Sequence, residues 1–194
     1  MVRSKTIICF AGGTAGDLVV GVLDPRNCLY DNQQGSITLK KDRHTMKKFW
    51  LFNNEKDKDE YIDKVFKKYN SLPSHDVDFH IKTANRNVIG ITCFDKSLRL
   101  QSAKRFKSLH RPYVWDSLRK VTDTETIDQY SNDILEISRK LKQKFPTIDL
   151  QEIIGGDLIN SLKILGHEIP AEGLRLYESW LERQQDNEIS HFSA

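Results

Sequence analysis

No apolar stretch in the 194 residues approaches the roughly 20 positions that a membrane-spanning helix requires. Met-Val-Arg-Ser-Lys at the start leads into only six or seven apolar residues, short of a secretory signal. Cysteine is scarce. Cys9, Cys28 and Cys93 are odd in number, unclustered and without metal-ligand spacing, which argues against a disulfide framework and fits a reducing compartment. A cytoplasmic protein is therefore expected. Internal repeats, low-complexity tracts and linkers are also missing, so residues 1–194 read as one domain, within the usual range of roughly 100–200 residues. With 38% hydrophobic and 29% charged residues, global disorder is excluded and a packed core is expected.

What the chain does contain is a change of pattern along its length. Lys5–Ala11 (KTIICFA) is an apolar run bounded by glycine, the pattern of a strand buried on both faces. Gly12-Gly13-Thr14-Ala15-Gly16 interrupts it, and Asp17-Leu18-Val19-Val20 resumes as apolar helix. Ser36–Leu39 is a second strand candidate, after the turn-rich Tyr30–Gly35, and Phe49–Phe52 a weaker third. Ile62, Val65, Phe66 and Tyr69 repeat at helical spacing and predict a helix over 59–69, ended by Leu72-Pro73-Ser74. Val77–Ile81 reads as extended. Asn87–Phe94 (NVIGITCF) is the second strong core strand, and Ser97–Leu109 follows as a basic helix that stops near Pro112. Ile127, Tyr130, Ile134, Ile137 and Leu141 form the stripe of a long helix closed by Pro146. Further helices follow around Leu158–Leu165, ended by Gly166, and after Pro170. The expected fold is α/β, with a helical C-terminal portion.

Charge is unevenly spread. Six basic residues and no acid lie between Lys96 and Arg111, whereas six acids face two arginines from Glu168 onward. A basic middle suggests an anionic ligand, although a solvated helix face has the same composition.

Three segments carry chemistry. In the first, glycines let the backbone approach phosphate oxygens while a helix N-terminus offers unpaired N–H groups. Gly12, Gly13 and Gly16 suit the turn and Thr14 adds a hydroxyl. The Gly-Lys-Ser/Thr ending of a Walker A loop is missing, as is a clean G-x-G-x-x-G fingerprint. Asp17 would repel an anion unless it caps the helix facing away or pairs with a cation. In the second, Ser74-His75-Asp76-Val77-Asp78-Phe79-His80, an extended backbone places Asp76, Asp78 and His80 on one face and His75 at the strand's beginning. The alternatives are a solvent-facing strand, a base role for His75, or a carboxylate–imidazole metal site. In the third, Ser97, Lys104 and Arg105 lie on a helix after a core strand and could meet an anionic ligand beside the first loop, because parallel βα units converge on one crevice. A nucleic-acid reader motif is lacking and aromatic interleaving is sparse, so a nucleic-acid partner is not expected.

These segments together (KTIICFAGGTAGDLV, PSHDVDFH and NVIGITCF with its Ser/Arg helix) resemble the sulfotransferase branch of the P-loop fold. GGDLINSLKILGHEIPAEGLRLYESWLERQ resembles the tail of small sulfotransferase-like proteins of phage and bacterial genomes. The resemblance implies a three-layer parallel sheet of P-loop type. It further implies transfer of a sulfuryl group from 3′-phosphoadenylyl sulfate to a hydroxyl acceptor. Residue by residue, Gly12, Gly13, Thr14, Ala15, Gly16 and Asp17 match the donor loop, His75 the base, and Ser102 with Arg99 or Arg105 the 3′-phosphate site. The family's loop carries a Lys or Arg, and this one has none; Lys40, Lys41 and Arg43 are candidates to replace it. The arginine expected directly after the later strand is replaced by Asp95-Lys96. A non-catalytic module that binds a nucleotide or a protein stands as the alternative, and a small kinase lacks its Walker lysine.

Overall fold

Five consecutive residues, Thr6–Phe10, are buried, and they form strand β1 at the centre of the molecule. The structure is a computed structural model that describes residues 5–26, 28–31, 36–39, 43, 52, 54–83, 86–110 and 123–192. Lys40, Lys41 and most of the Phe49–Phe52 segment lie outside the described residues. After β1 come α1 (Gly16–Leu23), β2 (Cys28–Asp31), β3 (Ser36–Leu39), α2 (Glu55–Phe66) and β4 (Ser71–Ser74). Next are α3 (Val77–Thr83), β5 (Asn87–Thr92), α4 (Lys96–His110) and α5 (Asp123–Lys144). The chain closes with β6 (Thr147–Asp149), α6 (Leu150–Ile154), α7 (Leu158–Ile164) and α8 (Ala171–Phe192).

Four strands form one parallel sheet in the order β4-β1-β5-β6, and β2 and β3 pair antiparallel as a separate ribbon. Because β1 is buried on both faces, its alternate side chains serve two cores. Ile8 and Phe10 pack with residues of α1, α6, α7 and α8, among them Val19, Ile153, Leu162 and Trp180. Ile7 and Cys9 pack on the opposite face with Ile62 and Phe66 of α2, Phe79 of α3 and Leu141 of α5. Each fully buried Ile or Leu contributes about 1.5–3 kcal/mol, so losing either face would exceed the net stability of an ordinary domain. The chain is thus an α/β protein with helices on both faces of a parallel sheet. Among the described residues no helix is long and apolar enough to cross a membrane.

Local chemistry sets the boundaries. Asn54 caps α2 by accepting from the Asp57 amide at 2.9 Å. Asp149 and Glu152 form a capping box at the start of α6. Gly166, at φ +80°, follows α7, and Pro170 precedes α8. Two expectations are corrected. Leu72-Pro73-Ser74 does not simply end a helix: it belongs to β4, which pairs with β1 in the register Ile8↔Pro73. The segment expected to be extended over 77–81 is helical, because the Asp76 carboxylate accepts from the Phe79 amide at 3.1 Å and starts α3. Asp76, Asp78 and His80 therefore do not share one face of a strand.

Candidate functional site

The strand order brings two loops together. The chain leaves β1 toward β4 and leaves β5 toward β6, so the connections diverge beyond the C-terminal ends of β1 and β5. In open parallel sheets such a divergence makes the ligand crevice. On one side stands Ala11–Ala15, and on the other Cys93–Asp95.

The first loop is tightly constrained. Gly13 has φ +84° and Ala15 φ +58°, both left-handed. For alanine that conformation costs about 1–2 kcal/mol, so the surroundings must hold it. Thr14 is one holder: it is buried, and its hydroxyl donates to the Ala11 carbonyl at 2.7 Å. Its proton is thereby engaged within the turn. The amides of Leu18 and Val19 donate to the Ala15 carbonyl at 3.0 and 3.3 Å, starting α1. Ala15, not Asp17, occupies the N-cap position; Asp17 is a half-buried residue of the first helical turn. Among the described residues the amides of Gly13, Ala15 and Gly16 have no acceptor. Amides so arranged at a helix N-terminus are chemically suited to an anion.

Packing also explains the glycines. A Cβ on Gly16 would enter the Phe10 ring, and one on Gly12 would enter the Phe106 ring and stand 2.8 Å from the Tyr130 hydroxyl. A Cβ on Gly13 would lie 2.5 Å from the Ser102 carbonyl. The turn is seated directly against α4 and α5. Phe106 and Tyr130 stack at 4.6 Å between centroids, and the Tyr130 hydroxyl donates to the Gly12 carbonyl at 3.3 Å. Neither aromatic residue carries a site signal in the sequence. Tyr130 lies in an ordinary apolar stripe and Phe106 in a basic helix, and only the tertiary approach reveals their role.

Ser102 and Phe106 of α4 cover the turn, and Arg99 precedes Ser102 by three residues on the same helix stripe. Arg99 is 8% exposed and its Nη1 donates to the Phe94 carbonyl. Its buried Nε has no acceptor among the described residues. Ser102 is buried beside Gly13, and Arg105 flanks it, half-buried. Asp95 caps the same helix by accepting from the Leu98 amide at 2.8 Å. Beneath Arg99, burial pushes the Cys93 thiol up to about 12, so it stays protonated and inert.

His75 approaches from the other neighbour of β1. Its Nδ1 lies 2.6 Å from the Phe10 carbonyl and its ring meets the Phe10 ring edge-on at 4.6 Å. Because a carbonyl only accepts, Nδ1 carries the proton and Nε2 is the basic nitrogen of the neutral ring. His80, by contrast, is buried behind this turn, with Nε2 2.8 Å from Ser74 Oγ. Burial pushes it down to about 4, and it is neutral at pH 7.

The cation candidates fare differently. Arg43 is fully buried at the opposite end of the sheet. There it donates to the carbonyls of Asp24 (3.2 Å), Arg26 (2.8 Å) and Ser71 (3.1 Å) and stacks over Tyr69. Ser71 begins β4, so Arg43 does not reach the turn beyond the other end of β1. The structure thus gathers Gly12–Asp17, Ser102 and, through Phe10, His75, with Arg99 on the adjoining helix stripe. Comparison with protein-family models, curated proteins and solved structures finds no match to this chain.

Proposed function

We propose that the chain is a sulfotransferase-like protein of P-loop type that binds 3′-phosphoadenylyl sulfate at the β1–α1 turn and transfers a sulfuryl group to a hydroxyl acceptor. The observation that carries this reading is the set of acceptor-less amides at Gly13, Ala15 and Gly16, on a strained turn where the sheet connections diverge. The residues present fit the anionic parts of such a nucleotide. The three amides and the α1 N-terminus suit one phosphate-like group, and the side-on edge of Arg99 with Ser102 suits a second. When bound, the nucleotide supplies an activated sulfuryl group. His75 contributes a basic Nε2, because Phe10 holds the Nδ1 proton, which is the tautomer needed to accept a hydroxyl proton.

A non-catalytic nucleotide-binding module is the second reading, favoured by one observation: residues 11–17 contain no Lys or Arg, and Arg43 is committed elsewhere. Without a cation, charge building on a bridging oxygen goes unstabilised, at a cost of orders of magnitude in rate. Calorimetric titration with 3′-phosphoadenosine 5′-phosphate and with ATP tests both readings. Binding of the first alone supports a donor site; binding of neither removes both. Sulfuryl transfer that disappears in His75→Ala at unchanged nucleotide affinity supports the enzyme. Binding without transfer across a panel of hydroxyl acceptors leaves the module.

A further inference from the structure

The Tyr130 hydroxyl is the only side-chain donor to the Gly12 carbonyl among the described residues, at 3.3 Å. In a trans peptide the C=O and the next N–H point in opposite directions. A bond that draws the Gly12 carbonyl toward α5 therefore turns the Gly13 N–H away from α5. That N–H is one of the amides without an acceptor. The rest of the peptide is equally confined: Gly13 sits at φ +84°, and the Ser102 carbonyl fills the space where a Cβ would stand. Phe106 stacks on Tyr130 at an interplanar angle of 15° and fixes the ring that carries the hydroxyl. Burial raises the phenol's pKa, so the hydroxyl remains a donor across the physiological range. Arg99, 8% exposed and one turn before Ser102 on α4, has an Nε without an acceptor among the described residues.

We infer that Tyr130 is a positioning residue, whose hydroxyl orients the Gly12–Gly13 peptide so that the Gly13 amide is presented to a phosphate group in the β1–α1 turn. This rests on the anion-binding reading above, and it adds a residue on α5, more than 100 positions away in sequence, to the machinery of the turn.

Amide NMR of the full chain, titrated with inorganic phosphate and with 3′-phosphoadenosine 5′-phosphate, tests it. In the wild type the Gly13, Ala15 and Gly16 resonances move together. Tyr130→Phe keeps the ring stack and removes only the donor. It is expected to displace the Gly13 resonance already in the free protein and to weaken binding of both probes about 3- to 10-fold, the worth of one hydrogen bond. Tyr177→Phe is the control. It removes another buried hydroxyl, which donates to the Ile153 carbonyl at 2.6 Å and ties α8 to α6. It should lower the melting temperature and leave both affinities unchanged. Equal affinity in Tyr130→Phe and wild type overturns the positioning role while the phosphate site stands, and equal loss in both variants overturns it by reducing the effect to stability. Unmoved amides in the wild type overturn the phosphate site itself, and the positioning role with it. A wild-type measurement needs no variant: a Tyr130 hydroxyl proton protected from exchange and close to Gly12 supports the role, and a freely exchanging one overturns it.

Discussion

Arg26 and Arg99 sit at opposite ends of the same sheet and present the same chemical fork in two conditions. At the base, Arg26 closes its Nε and Nη2 edge on the Asp24 carboxylate, with both contacts at 2.7 Å. Asp24 also accepts from the Asn70 amide at 2.6 Å, and Arg43 gathers the carbonyls around it. At the crevice, Arg99 has Nη1 on the Phe94 carbonyl and an Nε with no acceptor among the described residues. A planar guanidinium edge satisfied by a carboxylate is a structural clamp, whereas an Nε that finds no acceptor among the described residues retains a donor that an anion can take. The difference separates architecture from chemistry: the base should govern stability, the crevice affinity.

The largest expected effect is at the base. Arg43→Leu removes the donor to the carbonyls of Asp24, Arg26 and Ser71 and should cost about 4 kcal/mol in urea unfolding, with nucleotide affinity of the folded fraction unchanged. A comparable loss of affinity would mean the two ends are not independent.

Acid should separate the ends next. His80 is neutral in the fold down to about 4, whereas in the unfolded chain it protonates near its ordinary 6.5. The unfolded state therefore binds the extra proton between those values, and stability falls as pH drops from about 6.5 to about 4, by up to about 3 kcal/mol. His80→Gln should flatten that window in urea midpoints measured from pH 8 to 3. For Asp24, burial acts to raise the carboxyl, but hydrogen bonds from Arg26 and the Asn70 amide and the charge of Arg43 outweigh it and hold the group below its ordinary 3.8. Its contribution is complete above that value and lost as pH falls through the lowered one. Asp24→Asn should remove this more acidic step and leave the His80 step in place.

A smaller change reverses the pattern. Arg99→Gln should weaken 3′-phosphoadenosine 5′-phosphate about tenfold in calorimetry while altering unfolding by about 1 kcal/mol. Unchanged affinity would return Arg99 to a purely structural role. The smallest effect is expected at the Lys140–Asp78 pair, 3.0 Å apart and well exposed, where Lys140→Ala should cost about 0.3 kcal/mol at low salt. A greater loss would show that α5 braces α3, and with it the turn that carries His75.

The sequence made the central parts of this arrangement readable where a single local pattern decided the structure. KTIICFA and NVIGITCF are apolar on both faces, and they became β1 and β5; the stripe from Ile127 to Leu141 became α5. It misled where local and tertiary signals disagreed. Asp76, Asp78 and His80 alternate like a strand, but one carboxylate on the Phe79 amide was enough to begin a helix. Thr147–Asp149 is three residues long, too short for any periodicity to register as β6. The candidate site divides the same way. The glycine turn was visible because glycine itself is the signal, whereas Tyr130 and Phe106 serve the turn through contacts that nothing in their own neighbourhood encodes.

Pro73 has a consequence for how far the sheet can grow. The Thr6 amide bonds the Asn70 carbonyl at 2.8 Å, so by parallel alternation Asn70 and Leu72 turn their backbone groups to β1 and Ser71 and Pro73 turn theirs outward. Along that outer margin proline has no N–H to offer, and the Ser71 carbonyl is taken by Arg43 at 3.1 Å. An incoming strand from a second molecule would find neither a donor at 73 nor a vacant acceptor at 71. The β4 border is thus a poorer template for strand addition at these two positions, and the residue that hid this strand in the sequence is one reason.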